Sequence, residues 1–141
     1  MENGKQEEKA KIVISEGSEG GNPGMPVHLI APSLVLTMPI VPTALSFNVA
    51  VLTYGIDFSV PHSIVLTITT FKDGSPKVVS RIESKLPSFD QVPNTKGMVF
   101  NFAVRNAVFY EEGKNEVSFS VDGKNVITDN FWTVLQAVPD E

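Results

Sequence analysis

The chemistry open to this chain depends first on its two histidines, His28 and His62. A metal site would need carboxylates beside them at a workable spacing. The acid nearest to His62 in the sequence is Asp57, and an apolar, loop-like segment of four residues separates the two. This pattern favours a histidine in a loop or at a strand edge. A catalytic role would need a deep pocket that collects Asp57, His62 or Glu111.

Nucleophiles and phosphate-binding loops are no better supported. The sequence has no G-x-S-x-G elbow, and the serine, glutamate and lysine of residues 80–85 alternate as a solvated strand face does. The glycine-rich residues 17–21 are not followed by Lys-Ser or Lys-Thr, so they favour a linker. The chain has no cysteine, which excludes disulfides and thiolate chemistry.

Paired carboxylates are the remaining catalytic candidate. Glu111 and Glu112 fall in a predicted turn, and Asp129 falls in the last predicted strand. Glycosidase chemistry needs two carboxyl groups on either side of one cleft. A small sandwich without a long insertion offers no such cleft, so these acids are expected to be solvated turn residues. The sequence therefore predicts no enzyme, with no catalytic, metal or cofactor-binding residue and no cofactor.

Aromatic residues support one alternative function. Tyr54, Phe58, Phe89 and Trp132 are the rings that could be exposed, and an exposed row of rings is typical of carbohydrate-binding sandwiches. Two planar rings on one face would favour a module that binds carbohydrate or another small ligand.

Charge is absent from residues 20–56, a stretch of 37 residues without Asp, Glu, Lys or Arg. Prolines 26, 32, 39 and 42 interrupt it, so no continuous apolar window of about 20 residues remains and no membrane span is predicted. The simplest interpretation is two buried strands joined at Pro39-Ile40-Val41-Pro42, a strand-ending corner. Residues 34–41 have apolar side chains on both faces, however, and charge is depleted at the centre of protein interfaces. This excess predicts a protein partner or self-association.

Length and charge limit the remaining classes. A chain of 141 residues fits one domain. The net charge of −5, with scattered Lys and Arg, argues against a nucleic-acid-binding surface. Residues 12–14 are the only apolar run near the N-terminus and are too short for a secretory signal, so a cytoplasmic location is expected.

Alternation of apolar and polar residues with period two is the main structural signal. It recurs at strand-like spacing with turn residues between, and no segment has a sustained helical repeat. The core-facing positions that it predicts include Phe47, Phe100 and Phe119, and residues 78, 80 and 82 alternate with 77, 79, 81 and 83. We predict an all-β fold, an antiparallel β-sandwich of seven to eight strands, in residues 25–141. Residues 1–24 are predicted to be a flexible tail, although residues 11–15 could add as an edge strand.

Two Asp-Gly pairs predict hairpin turns. Asp73-Gly74 lies within the first hairpin, and Asp122-Gly123 lies within the second. In the second hairpin a two-residue loop would pair Val121 with Lys124, whereas a four-residue loop would pair Val121 with Val126. The four-residue loop is favoured because it keeps Lys124 off the apolar face. A bulge is predicted at residues 129–131, where alternation is poor.

The segment FYEEGKNEVSFSVDGK resembles the C-terminal part of immunoglobulin-like sandwich domains, where a Gly turn, an alternating strand and Asp-Gly follow one another. Together with MPIVPTALSFNVAV and PHSIVLTI, it is similar to small uncharacterised bacterial or prophage-encoded immunoglobulin-like proteins over about residues 30–135. The chain departs from antibody domains because it has no cysteine pair and its single Trp132 lies in the final strand. The resemblance implies a fold and an accessory or assembly role, and it transfers no catalytic residue. The predicted function is a non-enzymatic interaction or structural module.

Overall fold

The computed structural model describes residues 8–20, 27–88 and 97–136, and within these ranges the chain forms ten β-strands and no helix. The strands are β1 (Lys9–Ser15), β2 (Gly17–Gly20), β3 (Val27–Ile30), β4 (Val35–Met38), β5 (Thr43–Tyr54), β6 (His62–Lys72), β7 (Ser75–Leu86), β8 (Gly97–Phe109), β9 (Gly113–Val121) and β10 (Lys124–Leu135).

Two sheets face each other across one hydrophobic core. The first has the strand order β1-β5-β8, and the second has the order β4-β10-β9-β6-β7. Rings from the two sheets meet between them: the centroids of Phe47 and Phe131 are 5.7 Å apart, and those of Phe102 and Phe119 are 6.1 Å apart. Such pairs at 4.5–7 Å stabilise a core beyond the area that they bury.

The strand order is immunoglobulin-like. β1, β5 and β8 take the positions of strands A, B and E, and β6, β9 and β10 take those of C, F and G. The predicted fold class is therefore confirmed, with ten strands in place of seven to eight. One pairing, between β4 and β10, is parallel rather than antiparallel.

Period-two alternation placed the three core-facing phenylalanines correctly but failed on β7. Phe47 and Phe119 are buried, and Phe100 is half-buried against Phe58 and Phe119. On β7 a register shift opposite Ile68 and Thr69 interrupts the predicted alternation. The consequences are that Val79 packs against the core and Val78 is 58% exposed.

The tail predicted for residues 1–24 is wrong for residues 9–20. β1 is the edge strand that the sequence allowed, and it pairs with β5 over its whole length. Ile12 and Ile14 are buried in the core. β5 pairs with this short segment and thereby gives it the apolar contacts that it could not form by itself. Residues 1–7 and 21–26 lie outside the described residues, so a boundary at residue 24 stays a prediction.

β2 and β3 are the two strands that the sequence did not predict, and they form a separate antiparallel hairpin. Side-chain hydrogen bonds tie it to the first sheet. Asn101 Nδ2 donates to Ser18 Oγ at 3.0 Å, and Asn48 Nδ2 donates to Asn101 Oδ1 at 2.9 Å. The hairpin therefore covers part of the outer face of the β1-β5-β8 sheet, where Asn48 is buried.

Both Asp-Gly turns are present, with φ values of 52° and 79° at Asp73 and Gly74 and of 51° and 81° at Asp122 and Gly123. These values suit a two-residue type I′ turn.

The register favoured for the second hairpin is wrong, because Val121 pairs with Lys124. The register shift lies between Asn125 and Ile127, so the bulge predicted at residues 129–131 is also misplaced. The shift places Ile127 opposite Phe119, which keeps an apolar pair at this position without lengthening the turn.

Candidate functional site

His62 lies where three elements meet at one end of the sandwich: the start of β6, the β5–β6 connection and the β9–β10 turn. Its side chain is 13% exposed. Nδ1 lies 2.6 Å from Asp122 Oδ2, and Nε2 lies 2.6 Å from the carbonyl oxygen of Asp57. The ring of Phe58, which is buried, packs edge-on against the imidazole with 5.4 Å between centroids.

Both neighbours of the imidazole are hydrogen-bond acceptors. A neutral imidazole donates from one nitrogen only, whereas the protonated ring donates from both. The geometry at His62 therefore selects the imidazolium. Burial by itself lowers the pKa of His62, but hydrogen bonds to Asp122 and to the Asp57 carbonyl, with the charges of the two carboxylates, outweigh it and raise the pKa.

The two acids of this corner are held by backbone and side-chain donors. Ser63 N–H donates to Asp122 Oδ1 at 2.8 Å, and this bond, together with His62, lowers the pKa of Asp122. The hydroxyl and the amide of Ser59 both donate to Asp57 Oδ1, and these bonds lower the pKa of Asp57. Both carboxylates are thus stabilised in the ionised form.

His62 is not placed to act as a general base. A general base needs a nitrogen with a free lone pair directed at a substrate, and both nitrogens of His62 are in use. A cavity of about 440 Å³ adjoins the corner and includes Asp57, His62 and Asp122 in its lining, whereas Glu111 lines a different cavity. The structure brings together two of the three residues named for a catalytic pocket and leaves out the third.

Metal binding has no support in the part of the chain that the structure describes. No group of three or more His, Asp or Glu side chains there is placed to hold an ion. His28 is exposed on β3 and is not part of the lining of the cavity beside His62.

The carboxylates proposed as a pair lie apart. Glu112 accepts a hydrogen bond from the backbone N–H of Leu135 at 2.5 Å, and Leu135 is six residues along β10 from Asp129. At about 3.3 Å per residue, this corresponds to roughly 20 Å. Glycosidase carboxyls lie closer than about 10 Å. Glu111 and Glu112 line one cavity of about 320 Å³, and Asp129 is not part of its lining, so Asp129 does not face either of them across it.

The aromatic residues do not form a platform in the described ranges. Phe58 is buried, and Phe89 lies outside the described residues. Tyr54 and Trp132 are exposed, but Tyr54 lies on the outer face of the β1-β5-β8 sheet and Trp132 lies on that of the other sheet. The two rings therefore point away from each other.

The outer strand β4 carries a different surface, which we call the β4 edge: Leu34, Val35, Ile40 and Val41, with Trp132 of the neighbouring β10. All five are exposed, Leu34 at 61% and Ile40 at 65%. The parallel register places Trp132 beside Val35. Met38 of the same strand is fully buried. The charge-free stretch thus faces the core on one side and solvent on the other.

Backbone groups at the β4 edge are also available. The N–H groups of Trp132 and Gln136 donate to the carbonyls of Leu34 and Met38, so these groups of β4 point toward β10. Backbone groups alternate in direction along a strand, and those of Val35 and Thr37 therefore point away from the sheet. Ser33 Oγ accepts from the Val35 N–H. The Val35 carbonyl and both groups of Thr37 are left to face the open side.

A groove of about 560 Å³ runs beside this open side, between β4 and the first residues of β5. Val35, Leu36 and Phe47 contribute to its walls, and Glu16 is the charged residue in its lining. β1 pairs with β5 only from Asn48 onward. The beginning of β5 thus leaves room for an extended segment next to β4.

Some of these features are visible in the sequence and others are not. His62, Asp57 and the charge-free stretch stand out by their residue types and positions. Asp122 does not, because an Asp-Gly pair predicts only a turn. The pairing of Trp132 with Val35 depends on the parallel arrangement of β4 and β10.

No helix within residues 8–20, 27–88 and 97–136 is long and apolar enough to cross a membrane.

Comparisons with known proteins give distant structural similarities only. No protein-family model matches the sequence, and no curated protein is similar to it at a significant level. A β-glucosidase from Listeria innocua, solved with glucose, is similar at 10% identity and a TM-score of 0.47, over 91% of this chain and 16% of that enzyme. An immunoglobulin-like protein from Pseudomonas aeruginosa is similar at 10% identity and a TM-score of 0.41, over 93% of this chain and 99% of that protein.

An alkylpurine DNA glycosylase from Pseudomonas fluorescens, bound to DNA with an abasic site analogue, is similar at 11% identity and a TM-score of 0.42, over 87% of this chain and 30% of the enzyme. The chain spans about a sixth of the β-glucosidase and under a third of the glycosylase. At these identities and TM-scores no activity transfers to this chain, and the assignment of the fold depends on its own strand order.

Proposed function

We propose that this chain is a non-enzymatic interaction module that associates with a second copy of itself through the β4 edge. The observation that carries the proposal is an outer strand that is apolar on its solvent side, free of charge and open along its backbone. Unprotected edges of this kind are templates for the pairing of strands between chains.

Self-complementarity favours a second copy as the occupant, and charge does not oppose it at this edge. Each chain has a net charge of −5, so two copies repel each other over most of their surfaces. The β4 edge belongs to the stretch without Asp or Glu, where two copies approach with the least repulsion. A twofold contact between identical apolar strands is also self-complementary. Since β4 has only four residues, we expect a dissociation constant on the order of micromolar, as is typical of small interfaces.

Sedimentation velocity over a concentration series around the micromolar range tests this proposal. Wild-type protein is expected to shift from monomer to dimer as its concentration rises. Val35→Lys should weaken the dimer by at least about tenfold, because it buries an unpaired charge in each copy.

Val78→Lys is the matched control. It introduces the same charge on β7, the other outer strand of the sheet, at a valine that is 58% exposed, and it should leave the dimer unchanged. A strict monomer at high concentration, or equal weakening by the two substitutions, would rule out the β4 edge as a site of self-association.

Carbohydrate binding is not favoured by the positions of Tyr54 and Trp132 on opposite outer faces. An accessory or assembly role in a bacterial or prophage setting stays a prediction from the resemblance. A cytoplasmic location stays a prediction from the short apolar run of residues 12–14.

A further inference from the structure

We propose that His62 is a proton-operated clamp that joins the β5–β6 connection to the β9–β10 turn and releases the connection when it loses its proton. The proposal is independent of association at the β4 edge. It depends on the geometry of one ring between two acceptors, Asp122 Oδ2 and the Asp57 carbonyl, each at 2.6 Å.

The charged groups around the clamp come from four parts of the chain. Asp57 belongs to the β5–β6 connection, Asp122 to the β9–β10 turn, Lys124 to the start of β10, and Glu8 to the segment before β1; all four line the adjoining cavity with His62. Lys124 Nζ lies 3.9 Å from Glu8 Oε1, so a carboxylate balances the nearby ammonium. Leu86, the partner of His62 on β7, has no charge.

Loss of one proton forces a choice between the two bonds. The neutral ring keeps one N–H, and the other nitrogen then places a lone pair against an acceptor. A hydrogen bond to a carboxylate is stronger than one to a neutral carbonyl. The ring therefore keeps Nδ1–H on Asp122, and the bond from Nε2 to Asp57 is the one that breaks.

The segment that responds is short. Ile56 and Phe58 are buried on either side of Asp57, so the connection stays anchored in the core while the backbone around Asp57 and Ser59 loosens. The β9–β10 turn stays in place, because Ser63 and Asp122 also exchange two further bonds: Ser63 N–H donates to Asp122 Oδ1, and Asp122 N–H donates to the Ser63 carbonyl at 2.7 Å. Loss of the proton therefore loosens the β5–β6 connection and leaves the β9–β10 turn in place.

Long-range ¹H–¹⁵N NMR spectra of the histidine rings, recorded as a function of pH, test the clamp directly. The chain has two histidines, so the signals of the His62 ring can be assigned by comparison with His62→Asn. We expect His62 to titrate above the usual value for a histidine, about 6.5, and to become the Nδ1–H tautomer. The ¹³C′ resonance of Asp57 should move with the same midpoint. Retention of Nε2–H at high pH, or an Asp57 carbonyl that does not follow His62, would overturn the proposal.

Two variants separate a clamp from a merely structural histidine. In Asp122→Asn the side chain keeps an acceptor for Ser63 N–H but loses its charge, so the midpoint of His62 should fall. His62→Asn keeps a donor for Asp122 and removes the one for Asp57. Between about pH 6 and 9, where the Asp57 carboxyl stays ionised, the Asp57 resonance should then be independent of pH at the value of the high-pH wild type. If the Asp122→Asn midpoint does not fall, or if the Asp57 resonance of His62→Asn still titrates, the clamp is wrong even where both variants are folded.

Discussion

The two edges of the five-stranded sheet differ in charge. β7 carries Lys77, Arg81, Glu83 and Lys85 and begins with Ser75-Pro76, whereas β4 and its flanks carry no charged residue. Charges and proline on an outer strand discourage pairing with another chain. One edge is therefore protected, and the other is open.

Exposure alone does not identify a partner surface. Val78 on β7 is more exposed than Val35 on β4, but Val78 stands beside Lys77 and follows Pro76. The proposal at β4 depends on the combination of apolar side chains, absent charge and outward-facing backbone groups. Substitutions at either edge test whether this combination decides pairing.

The core beneath the edges should give the largest effect. Phe131 lies on the inner side of β10, the strand that holds β4, and contacts Phe47 and Phe109. Phe131→Ala should lower the free energy of unfolding by about 3–5 kcal/mol. Ile82→Ala, at a half-buried residue of β7, should lower it by about 1–2 kcal/mol. Urea denaturation measures both, and similar losses would show that the two edges are supported equally by the core.

Removal of the charges from β7 should give an intermediate effect. Replacing Arg81, Glu83 and Lys85 by Thr would leave Lys77 as the one charged residue of this outer strand and bring it closer to β4 in charge. We expect a second contact between chains, with species larger than a dimer and association strengthened by roughly tenfold, which is about 1.4 kcal/mol. Arg81→Lys with Lys85→Arg is the matched control, because it keeps both positive charges. Sedimentation velocity reads the outcome, and a variant that behaves as the wild type would mean that charge does not protect β7.

The pH dependence should give the smallest effect, and it separates the two sites. The pKa of His62 is raised on folding, so its stabilising contribution is complete below the unfolded value of about 6.5 and is lost as the pH rises through the folded value. Between about pH 6 and 9 the free energy of unfolding should fall more for wild type than for His62→Asn. Dimerisation should not change over this range, because the β4 edge has no titratable side chain. An association constant that follows the His62 titration would contradict this separation.

The fold class could be predicted because the residues of each strand themselves indicate which alternate side chains are buried. Ile64, Leu66 and Ile68, like Val117, Phe119 and Val121, alternate in the sequence and are buried in the structure. The predictions that were wrong concern positions whose structure depends on a neighbouring strand. β1 depends on the free side of β5, and the register shifts on β7 and β10 depend on the strands opposite them.

The candidate sites divide in the same way. The absence of charge near β4 can be recognised in the sequence, and so can the closeness of His62 to Asp57 along the chain. Asp122 lies 60 residues from His62, and no local pattern connects the two. The same holds for Trp132 and Val35, which come together only because β4 runs parallel to β10.

Alternation along the chain is enough to specify half-buried strands around an aromatic core, because side chains alternate between the two faces of a strand wherever that strand lies. The order of residues also leaves positions 20–56 without a charged side chain. Which strand of that stretch lies at an outer edge, and which carboxylate binds His62, follow from the folded arrangement of the strands. Both depend on contacts between residues far apart in the chain, and no local segment contains the interactions that select them.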